Sequence, residues 1–334
     1  MKVIDLSGYS FSGKSAVYDL LSEFNGYAKH SKEFEFELIR VPNGIHDLYN
    51  NLVINWSPVR SSEAIRSFQR LIKIYSGDNS FFSRLFRRGY KYDMYFPNFK
   101  NISNDLVEKL IISRWQSEWP FALNSKTNIN IFLKKILFRL GFKRIFETEV
   151  FLSRFEKEEF LIIIKEYLNK LLLTAMNTND KAIILNNAFE SFYPLSSQQF
   201  FYNARSIIVD RDPRDIYLSA LKGGVVNGVN VGFAVTGGCV DNFIKRFKTY
   251  RNNIEINTKI LRITFEDLVL NYEQTLNMIF DFLEEDKSIH KYPKKYFDPE
   301  ISKKGVSIWK TVDGQLKKDI DKIQLELKEY CKNY

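Results

Sequence analysis

The sequence predicts an α/β fold with three layers, in which helices cover both faces of a parallel sheet. Residues 3–6 form a short apolar segment that leads into a glycine-rich stretch and then a helical pattern. From residue 181 onward, short apolar segments alternate with helical patterns, which is typical of a parallel sheet. Residues 43–180 show helical patterns instead. We therefore expect one domain over residues 1–334 that carries residues 43–180 as a large helical insertion.

The glycine-rich stretch is a candidate phosphate-binding loop of the P-loop type. Residues 8–15 read G-Y-S-F-S-G-K-S and fit the pattern G-x-x-x-x-G-K-[ST] in full. Such a loop points several backbone N–H groups at one anion, and the following helix adds its positive N-terminus. The alternative is a turn of small residues without a ligand. The residues expected to hold a phosphate are Gly8, Ser10, Phe11, Ser12, Gly13, Lys14, Ser15 and Ala16.

The composition favours an anionic ligand and a reducing compartment. The net charge of +9 suits nucleotides, acidic glycans, nucleic acid and membrane surfaces alike. Only Cys239 and Cys331 are present, which indicates no disulfide framework. No basic segment precedes the first apolar run, and the longest apolar region, residues 160–176, is interrupted by charges. We therefore expect a cytoplasmic protein without a signal peptide.

The histidines predict no metal centre. His30, His46 and His290 lie far apart in the sequence and lack the spacing of metal ligands. The prediction is therefore a site that works without a metal.

Residues 32–39 alternate between polar and apolar side chains, and this alternation predicts a half-buried strand. In a strand, Glu33, Glu35 and Glu37 would share one face. Two interpretations remain open for that face. It is either a solvated surface or the source of a catalytic carboxylate, because the second strand of such a fold passes close to the phosphate loop.

The helical middle of the chain is predicted to contain helices over residues 105–119, 131–140 and 158–176. Residues 84–91 are basic and contain interleaved apolar and aromatic residues. This run is either a solvated loop or a surface that grips an acidic acceptor or a membrane.

A second phosphate site is predicted where the apolar strand at residues 206–209 ends in charged residues. Asp212 can cap a helix that begins at Pro213, and glycines at positions 223 and 224 can end it. Arg211 would stand at the carboxyl edge of the sheet, where open α/β sheets bind ligands. Its guanidinium, together with the hydroxyl of Ser219, would hold a second phosphate.

These motifs together resemble those of the sulfotransferases that use 3′-phosphoadenosine 5′-phosphosulfate (PAPS). In that family an Arg after a strand and a Ser eight positions later bind the 3′-phosphate, and Arg211 and Ser219 have this spacing. Residues 261–268 resemble the family's Y-E-D-L strand. Residues 302–310 are similar to the basic segment that closes over the nucleotide. The resemblance covers the first ~40 residues and residues 181–312, and it leaves 43–180 as a variable acceptor region.

The resemblance implies PAPS as co-substrate, no metal, and a nucleotide site that extends beyond the loop. The additional nucleotide-binding residues that it implies are Arg211, Ser219, Lys303, Lys304, Gly305, Trp309 and Lys310.

Two features depart from the family pattern. The family loop usually carries Lys or Arg at the position of Phe11 and a small hydroxyl residue at the position of Lys14. We therefore assign the role of the loop lysine to Lys14 because its side chain can reach the phosphate, and not because the positions align. The catalytic base also stays open. Cytosolic members use a His, whereas heparan-type members use a Glu about twenty residues beyond the loop. Counting about twenty residues from the loop without a gap reaches Glu33, and a small shift of the alignment reaches Glu35. His30 and His46 are the less favoured candidates.

The expected function is transfer of a sulfuryl group from PAPS to a hydroxyl acceptor, with a carbohydrate of a surface polysaccharide or glycolipid as first choice by resemblance. Lys14 and either Glu33 or Glu35 would be catalytic. The expected partners are nucleotide and acceptor, with no nucleic acid and with a membrane-surface contact left open. Two alternatives remain. One is a P-loop kinase or NTPase in which Ser15 and Asp210 would coordinate Mg²⁺. The other is a non-catalytic polyanion-binding protein.

Overall fold

A computed structural model describes residues 1–77, 92–118, 128–141, 147–226, 229–252 and 254–332. The chain divides into two compact units. The first combines Met1–Ile39 with Met176–Tyr334, and the second is Arg40–Ala175. The basic run at residues 84–91, predicted to be either a loop or a gripping surface, lies outside the described residues.

The strands are short, and most belong to the first unit. Their bounds are β1 Lys2–Gly8, β2 Tyr27–Ala28, β3 Ser113–Glu118, β4 Glu147–Leu152, β5 Ala182–Asn186, β6 Ala204–Asp210, β7 Val225–Val226, β8 Val229–Asn230 and β9 Ile260–Thr264.

Helices make up most of the remaining described structure. They are α1 Lys14–Leu21, α2 Ile45–Tyr49, α3 Pro58–Tyr75, α4 Tyr92–Tyr95, α5 Phe99–Lys109, α6 Asn128–Arg139, α7 Lys157–Leu173, α8 Pro194–Gln198, α9 Pro213–Leu221, α10 Val231–Thr236, α11 Val240–Arg251, α12 Phe265–Leu270, α13 Tyr272–Leu283, α14 Pro299–Ser302 and α15 Gly314–Glu326. A π-helical turn, Asn50–Ile54, extends α2, and 3₁₀ turns occur at Glu37–Ile39, Lys287–Ile289, Lys303–Gly305, Ile308–Thr311 and Lys328–Tyr330.

The first unit is built on a five-stranded parallel sheet with the order β2-β5-β1-β6-β9. The central strand β1 is buried from Val3 to Ser7, as expected for a strand covered on both faces. Its neighbours follow it in sequence only after long connections, which a parallel pair requires. The predicted α/β class with a parallel sheet flanked by helices is therefore confirmed.

The carboxyl ends of β1, β5, β6 and β9 all lie at one edge of this sheet, because the strands are parallel. One face of the sheet packs on α1, whose Val17, Leu20 and Leu21 are fully buried, and on α13. A separate apolar cluster joins α9, α11 and α15 through residues such as Phe243 and Ile323. The two clusters fix α1 and α9, the helices that follow the two candidate phosphate segments.

The second unit contains an antiparallel hairpin-like pair, β3 with β4, in which Ser113 stands opposite Leu152. The predicted helices at 131–140 and 158–176 correspond to α6 and α7. The predicted helix at 105–119 is wrong, because α5 ends at Lys109 and β3 occupies Ser113–Glu118. The hydrogen bonds of β3 to β4 cross a long stretch of sequence, and a local pattern does not reveal them.

The strand predicted at 32–39 is also wrong. Phe34, Phe36 and Leu38 are buried, so the alternation of burial is real. The backbone, however, forms turns and then the 3₁₀ turn Glu37–Ile39, and Phe36 N–H donates to the Asn186 carbonyl at 2.9 Å. The second strand of the unit is the shorter β2, which pairs with β5.

None of the described helices combines the length and the apolarity that crossing a bilayer requires.

Candidate active site

The candidate site lies at the carboxyl edge of the parallel sheet, where four strands end in polar or glycine-rich segments. β1 leads into the loop 8–15, and β5 leads into Asn186 and Asn187. β6 leads into Arg211, and β9 leads into Phe265. Ligands of open α/β sheets bind at this edge.

Glycine is required at both ends of the loop for steric reasons. A Cβ built on Gly8 would lie 2.6 Å from the Val209 carbonyl oxygen, so β6 could not approach. Gly13 has φ of 86°, in the left-handed region, and a Cβ there would lie 2.4 Å from the ring of Phe265. The loop is therefore closed tightly between β6 and the start of α12.

Inside the loop, Ser12 N–H donates to the Tyr9 carbonyl at 3.0 Å, and the Ser12 side chain is buried. Phe11 also has positive φ, 64°. Ser10 and Ser15 are exposed, and Ala16 packs against the core of the sheet. In the first turn of α1, the Ala16 N–H donates to the Gly13 carbonyl at 2.9 Å. The start of a helix is in general a favourable place for an anion, because N–H groups and the positive end of the helix dipole meet there.

Lys14 begins α1 and extends toward the end of β5. Its Nζ donates to Asn186 Oδ1 at 2.6 Å and lies 3.5 Å from Glu35 Oε1. Asn186 in turn donates through Nδ2 to the Lys32 carbonyl at 2.8 Å. The lysine is thus held by an amide and a carboxylate that come from two other segments.

Glu35 is half-buried, and its Oε1 also accepts a hydrogen bond from Asn187 Nδ2 at 2.5 Å. Asn187 has φ of 50°, a left-handed conformation that Asn tolerates better than most residues. Glu33 is exposed, and its side chain makes no hydrogen bond or ion pair within the described ranges. The structure therefore brings Glu35 to Lys14 and leaves Glu33 in solvent.

The two candidate histidines have different surroundings. His30 packs edge-on against Phe34, and burial lowers the pKa of its imidazole to about 4. His46 lies on α2 of the second unit, and burial lowers its pKa as well.

Arg211 connects three segments that are distant in sequence. Its Nη1 donates to the Phe11 carbonyl at 2.9 Å and to Ser219 Oγ at 3.1 Å, and its Nη2 donates to the Gly305 carbonyl at 2.6 Å. The guanidinium also lies 5.0 Å above the ring of Phe265. Arg211 and Ser219 are thus in contact, as predicted, and Arg211 also binds the phosphate loop and the turn at residues 303–305.

Burial lowers the pKa of the Arg211 guanidinium, although nearby carboxylates such as Asp215 oppose the shift. Among the described residues its buried Nε has no hydrogen-bond partner. The Nε atoms of Arg251 and Arg262 also lack a partner among these residues, but both guanidinium groups pair with Asp210. Arg211 has no carboxylate within ion-pair distance among the described residues, and its buried charge therefore suits an anionic ligand.

The segment 303–310 is fixed by Asp215 of α9. Its carboxylate accepts hydrogen bonds from the N–H groups of Ser307 at 2.7 Å and Trp309 at 3.1 Å. Trp309 covers the guanidinium of the fully buried Arg214 at 3.7 Å. Arg214 itself is paired with the helix cap Asp212.

The lysines of this segment are on the outside. Lys303 pairs with Glu300, whereas Lys304 and Lys310 are exposed. The structure therefore places Gly305 against Arg211 and leaves the three ammonium groups near the surface.

Two buried carboxyl groups lie under the candidate site. Burial raises the pKa of Asp5 in β1 to about 7, although Ser7 and the N–H groups of Ala188 and Phe189 donate to it. Burial likewise raises the pKa of Glu266 to about 7. Glu266 Oε1 accepts from the Asp212 N–H at 2.9 Å, but Oε2 has no partner among the described residues.

An NTPase would use Asp210 as a ligand of Mg²⁺. In this structure two arginines donate hydrogen bonds to its carboxylate. Its carboxylate accepts from Arg251 Nη1 at 2.8 Å and from Arg262 Nη1 at 2.9 Å. A metal would have to compete with both guanidinium groups. The described residues also contain no cluster of three potential metal ligands.

Several residues of the site were not identified from the sequence. Asn186 and Asn187 end an apolar strand, and the two consecutive polar residues at a strand end are a signal that could have found them. Phe265 and Asp215 belong to motifs that were recognised, but their contacts with Gly13 and Ser307 join remote segments and have no local signal.

No protein-family model matches the chain, and no curated protein matches it. Solved structures do. The sulfotransferase domain of the Synechococcus PCC 7002 olefin synthase is 16% identical, with 100% of this chain and 95% of that chain covered and a TM-score of 0.39.

The sulfotransferase domain of the curacin biosynthetic pathway is 15% identical, with 98% and 97% covered and a TM-score of 0.39. Retinol dehydratase in complex with androsterone and the inactive cofactor PAP is 13% identical, with 100% and 83% covered and a TM-score of 0.36. The first two structures are sulfotransferase domains, the family whose motifs this sequence resembles. Similarity of this degree assigns no residue, so the roles of residues are inferred from the contacts within this chain.

Proposed function

We propose that this chain is a sulfotransferase that moves a sulfuryl group from PAPS to the hydroxyl of an acceptor. The observation that carries the proposal is the position of Arg211, which joins the phosphate loop at Phe11, the hydroxyl of Ser219 and the turn at Gly305. A nucleotide with phosphates at two places on its ribose requires two separate anion sites. The loop with Lys14 is one, and Arg211 with Ser219 is the other.

The residues present fit such a nucleotide. Arg211 offers a buried donor without a partner at Nε, and its other donors are bonded to neutral carbonyl and hydroxyl oxygens that a phosphate would outcompete. A side chain at position 8 or 13 would collide with Val209 or Phe265, so the tight loop requires glycine at both positions. The exposed Lys304 and Lys310 add positive charge to the segment that carries Gly305.

PAPS supplies an activated sulfuryl group with adenosine 3′,5′-bisphosphate as leaving group. Lys14 and the loop amides stabilise the negative charge that develops on the leaving oxygen. Glu35 takes the proton of the acceptor hydroxyl as general base while that oxygen bonds to sulfur. Asn187 donates to Oε1 of Glu35 and holds the carboxylate in place.

The acceptor that we propose is a carbohydrate hydroxyl, of a surface polysaccharide or a glycolipid. The basic overall charge of the chain supports an acidic glycan. Two free cysteines support a reducing compartment such as the cytoplasm as the place of the reaction.

Calorimetry with three nucleotides tests the proposal. We expect adenosine 3′,5′-bisphosphate to bind without Mg²⁺ and on the order of 100-fold more tightly than AMP, because AMP leaves the Arg211 guanidinium without its phosphate. Arg211→Lys should remove most of this preference, since a point charge cannot reproduce the fork of the guanidinium. Equal affinity for the two nucleotides, or binding of ATP that depends on Mg²⁺, would refute the proposal.

The acceptor is identified separately. PAPS with a panel of glycans, phenols and lipids, read by mass spectrometry, should give a mass increase on a glycan hydroxyl. Sulfation of a phenol alone would keep the transferase assignment and reject the carbohydrate.

A further inference from the structure

Helix α6, Asn128–Arg139 in the second unit, exposes nearly all of its apolar side chains. The exposed fractions range from 38% to 72%. The residues concerned are Ile129, Phe132, Leu133, Ile136, Leu137, Phe138 and Leu140. A cluster of exposed apolar side chains this dense marks a binding surface in soluble proteins.

Six of these residues form a continuous stripe. Positions 129, 132, 133, 136, 137 and 140 follow the spacing i, i+3, i+4, i+7, i+8 and i+11, which is one face of an α-helix. Leu140 continues the helical hydrogen bonding, because its N–H donates to the Ile136 carbonyl at 3.0 Å. Phe138 and Ile131 lie on the other side of the helix. We call the six-residue stripe the α6 face.

The next helix along the chain, α7, has the same spacing of apolar residues but packs that face into a core. In α7, Lys157–Leu173, the apolar positions Phe160, Ile164, Leu168 and Leu171 are fully buried. The α6 face has the same periodicity but is exposed along its whole length. Its periodicity is therefore not explained by packing within the described unit.

The charges that border the α6 face have one sign. Lys135 and Arg139 are exposed, stand one turn apart and border the stripe on the side of Phe132. Lys134 lies beyond the opposite border, and residues 128–141 contain no Asp or Glu. An apolar stripe between cations is the pattern of helices that lie in the interface of an anionic bilayer.

We propose that the α6 face docks on an anionic lipid surface, with the apolar stripe among the acyl chains and Lys135 and Arg139 at the lipid phosphates. Charge complementarity favours this occupant over a second copy of the chain. A second copy also carries net positive charge, +9, and would bring these cations together. The helix is too short to span a bilayer, so it would lie in the plane of the surface. The inference does not depend on sulfuryl transfer, because it concerns binding alone.

Sedimentation of the full chain with lipid vesicles tests the proposal. We expect binding to vesicles of phosphatidylcholine and phosphatidylglycerol in equal parts to be at least about ten-fold tighter than binding to phosphatidylcholine alone. High salt should weaken the anionic binding, because it screens the contribution of the cations.

Two sets of variants localise the surface. Phe132→Glu with Ile136→Glu should reduce vesicle binding more than about ten-fold, since it places charges in the acyl region. The matched control is Ile162→Glu on α7, where an exposed isoleucine lies in the same unit. Lys135→Gln with Arg139→Gln should reduce binding on the order of 30-fold, at about five-fold per cation. Lys317→Gln with Lys318→Gln on α15 changes the net charge equally and should have little effect.

Circular dichroism and analytical ultracentrifugation exclude the other occupants. The glutamate variants should melt at the wild-type temperature, because the side chains concerned are exposed. A marked loss of stability would show that another part of this chain covers the α6 face. Self-association that the same variants abolish would show a second copy there. Either result, or equal binding to neutral and anionic vesicles, overturns the proposal.

Discussion

The two ends of the candidate site are built in different ways. The arginine end consists of Arg211, Ser219, Asp215 and Gly305, and it is held by contacts to backbone atoms, such as Arg211 to Phe11 and Gly305 and Asp215 to Ser307. At the lysine end, Lys14, Glu35, Asn186 and Asn187 hold one another through their side chains. Backbone contacts survive most substitutions, whereas a network of side chains depends on each member. Substitutions at the lysine end should therefore cost more activity, and those at the arginine end should mainly change nucleotide preference.

The largest expected effect separates two glutamates that the sequence alone could not distinguish. Glu35→Gln should lower turnover about 1000-fold, because it removes the general base while keeping the shape of the side chain. Glu33→Gln is the matched control, since Glu33 is exposed, and it should leave turnover unchanged. Both are measured as sulfation rates at saturating PAPS and acceptor.

Nucleotide affinity and two histidine variants complete this comparison. Adenosine 3′,5′-bisphosphate should bind both glutamine variants within a few fold of the wild type, because the arginine end is untouched. His30→Ala and His46→Ala should keep their activity. If Glu35→Gln remains active and a histidine variant does not, the carboxylate assignment is wrong.

The ambiguity between Glu33 and Glu35 shows where the sequence stops being informative. The alternation at 32–39 correctly gave the buried side, with Phe34 and Phe36 inside. It did not distinguish a strand from turns whose backbone bonds to Asn186. Which glutamate meets Lys14 depends on that backbone path.

The next effect concerns Lys14 itself. Lys14→Ala should lower turnover by on the order of 100-fold, because the charge that stabilises the leaving oxygen is lost. Lys32→Ala is the control, since Lys32 is an exposed lysine near the same segment and pairs with Asp19. Unchanged turnover of Lys14→Ala at saturating PAPS would show that the loop acts through its amides alone.

The arginine end was more predictable than the lysine end for a physical reason. Arg211 and Ser219 lie on one strand–helix unit, so their spacing alone brings them to 3.1 Å. Asn186 and Lys14, in contrast, meet across 172 residues of sequence. Motif spacing records contacts within one supersecondary unit, while contacts between units require the fold.

The next prediction concerns protein stability and two buried carboxyl groups. Asp5 lies under the lysine end of the site, and Glu266 lies under the arginine end. Ser7 Oγ lies 2.7 Å from Asp5 Oδ2 and 2.9 Å from the Phe189 carbonyl, and one hydroxyl proton cannot serve both. A protonated Asp5 that donates to Ser7 satisfies all three groups, and so would an amide. Glu266 Oε2 has no acceptor nearby among the described residues, so an amide there would be left with unpaired donors.

Asp5→Asn should therefore be tolerated, whereas Glu266→Gln should destabilise the fold by about 2 kcal/mol at low pH. The folded pKa of both carboxyl groups, about 7, lies above the unfolded value. Their stabilising effect is present at low pH and is lost as the pH rises through about 7. Asp5→Asn should therefore gain stability relative to the wild type as the pH rises above about 4, and above about 7 it should be more stable by on the order of 4 kcal/mol. Urea unfolding at pH values on both sides of the folded pKa measures this, and a constant difference between Asp5→Asn and wild type contradicts it.

The smallest effect concerns Asn187, whose side chain donates to Glu35. Asn187→Gly removes the amide and suits the positive φ of this position, so the backbone should not be strained. We expect turnover to fall about ten-fold, the cost of one lost hydrogen bond to a charged group, with nucleotide affinity unchanged. Asn187→Ala would add backbone strain and is the less informative variant.

Asn187→Asp distinguishes positioning of the base from a general structural role. It keeps the shape but places a second carboxylate where the amide lay 2.5 Å from Glu35 Oε1. A like charge disfavours the ionised form of Glu35, so the rising limb of the pH–rate profile should move to higher pH. Asn187→Gly should also lower the rate, but it places no negative charge beside Glu35. The rising limb of its pH–rate profile should therefore move much less. If the two variants give the same pH profile, Asn187 stabilises the turn after β5 and does not position Glu35.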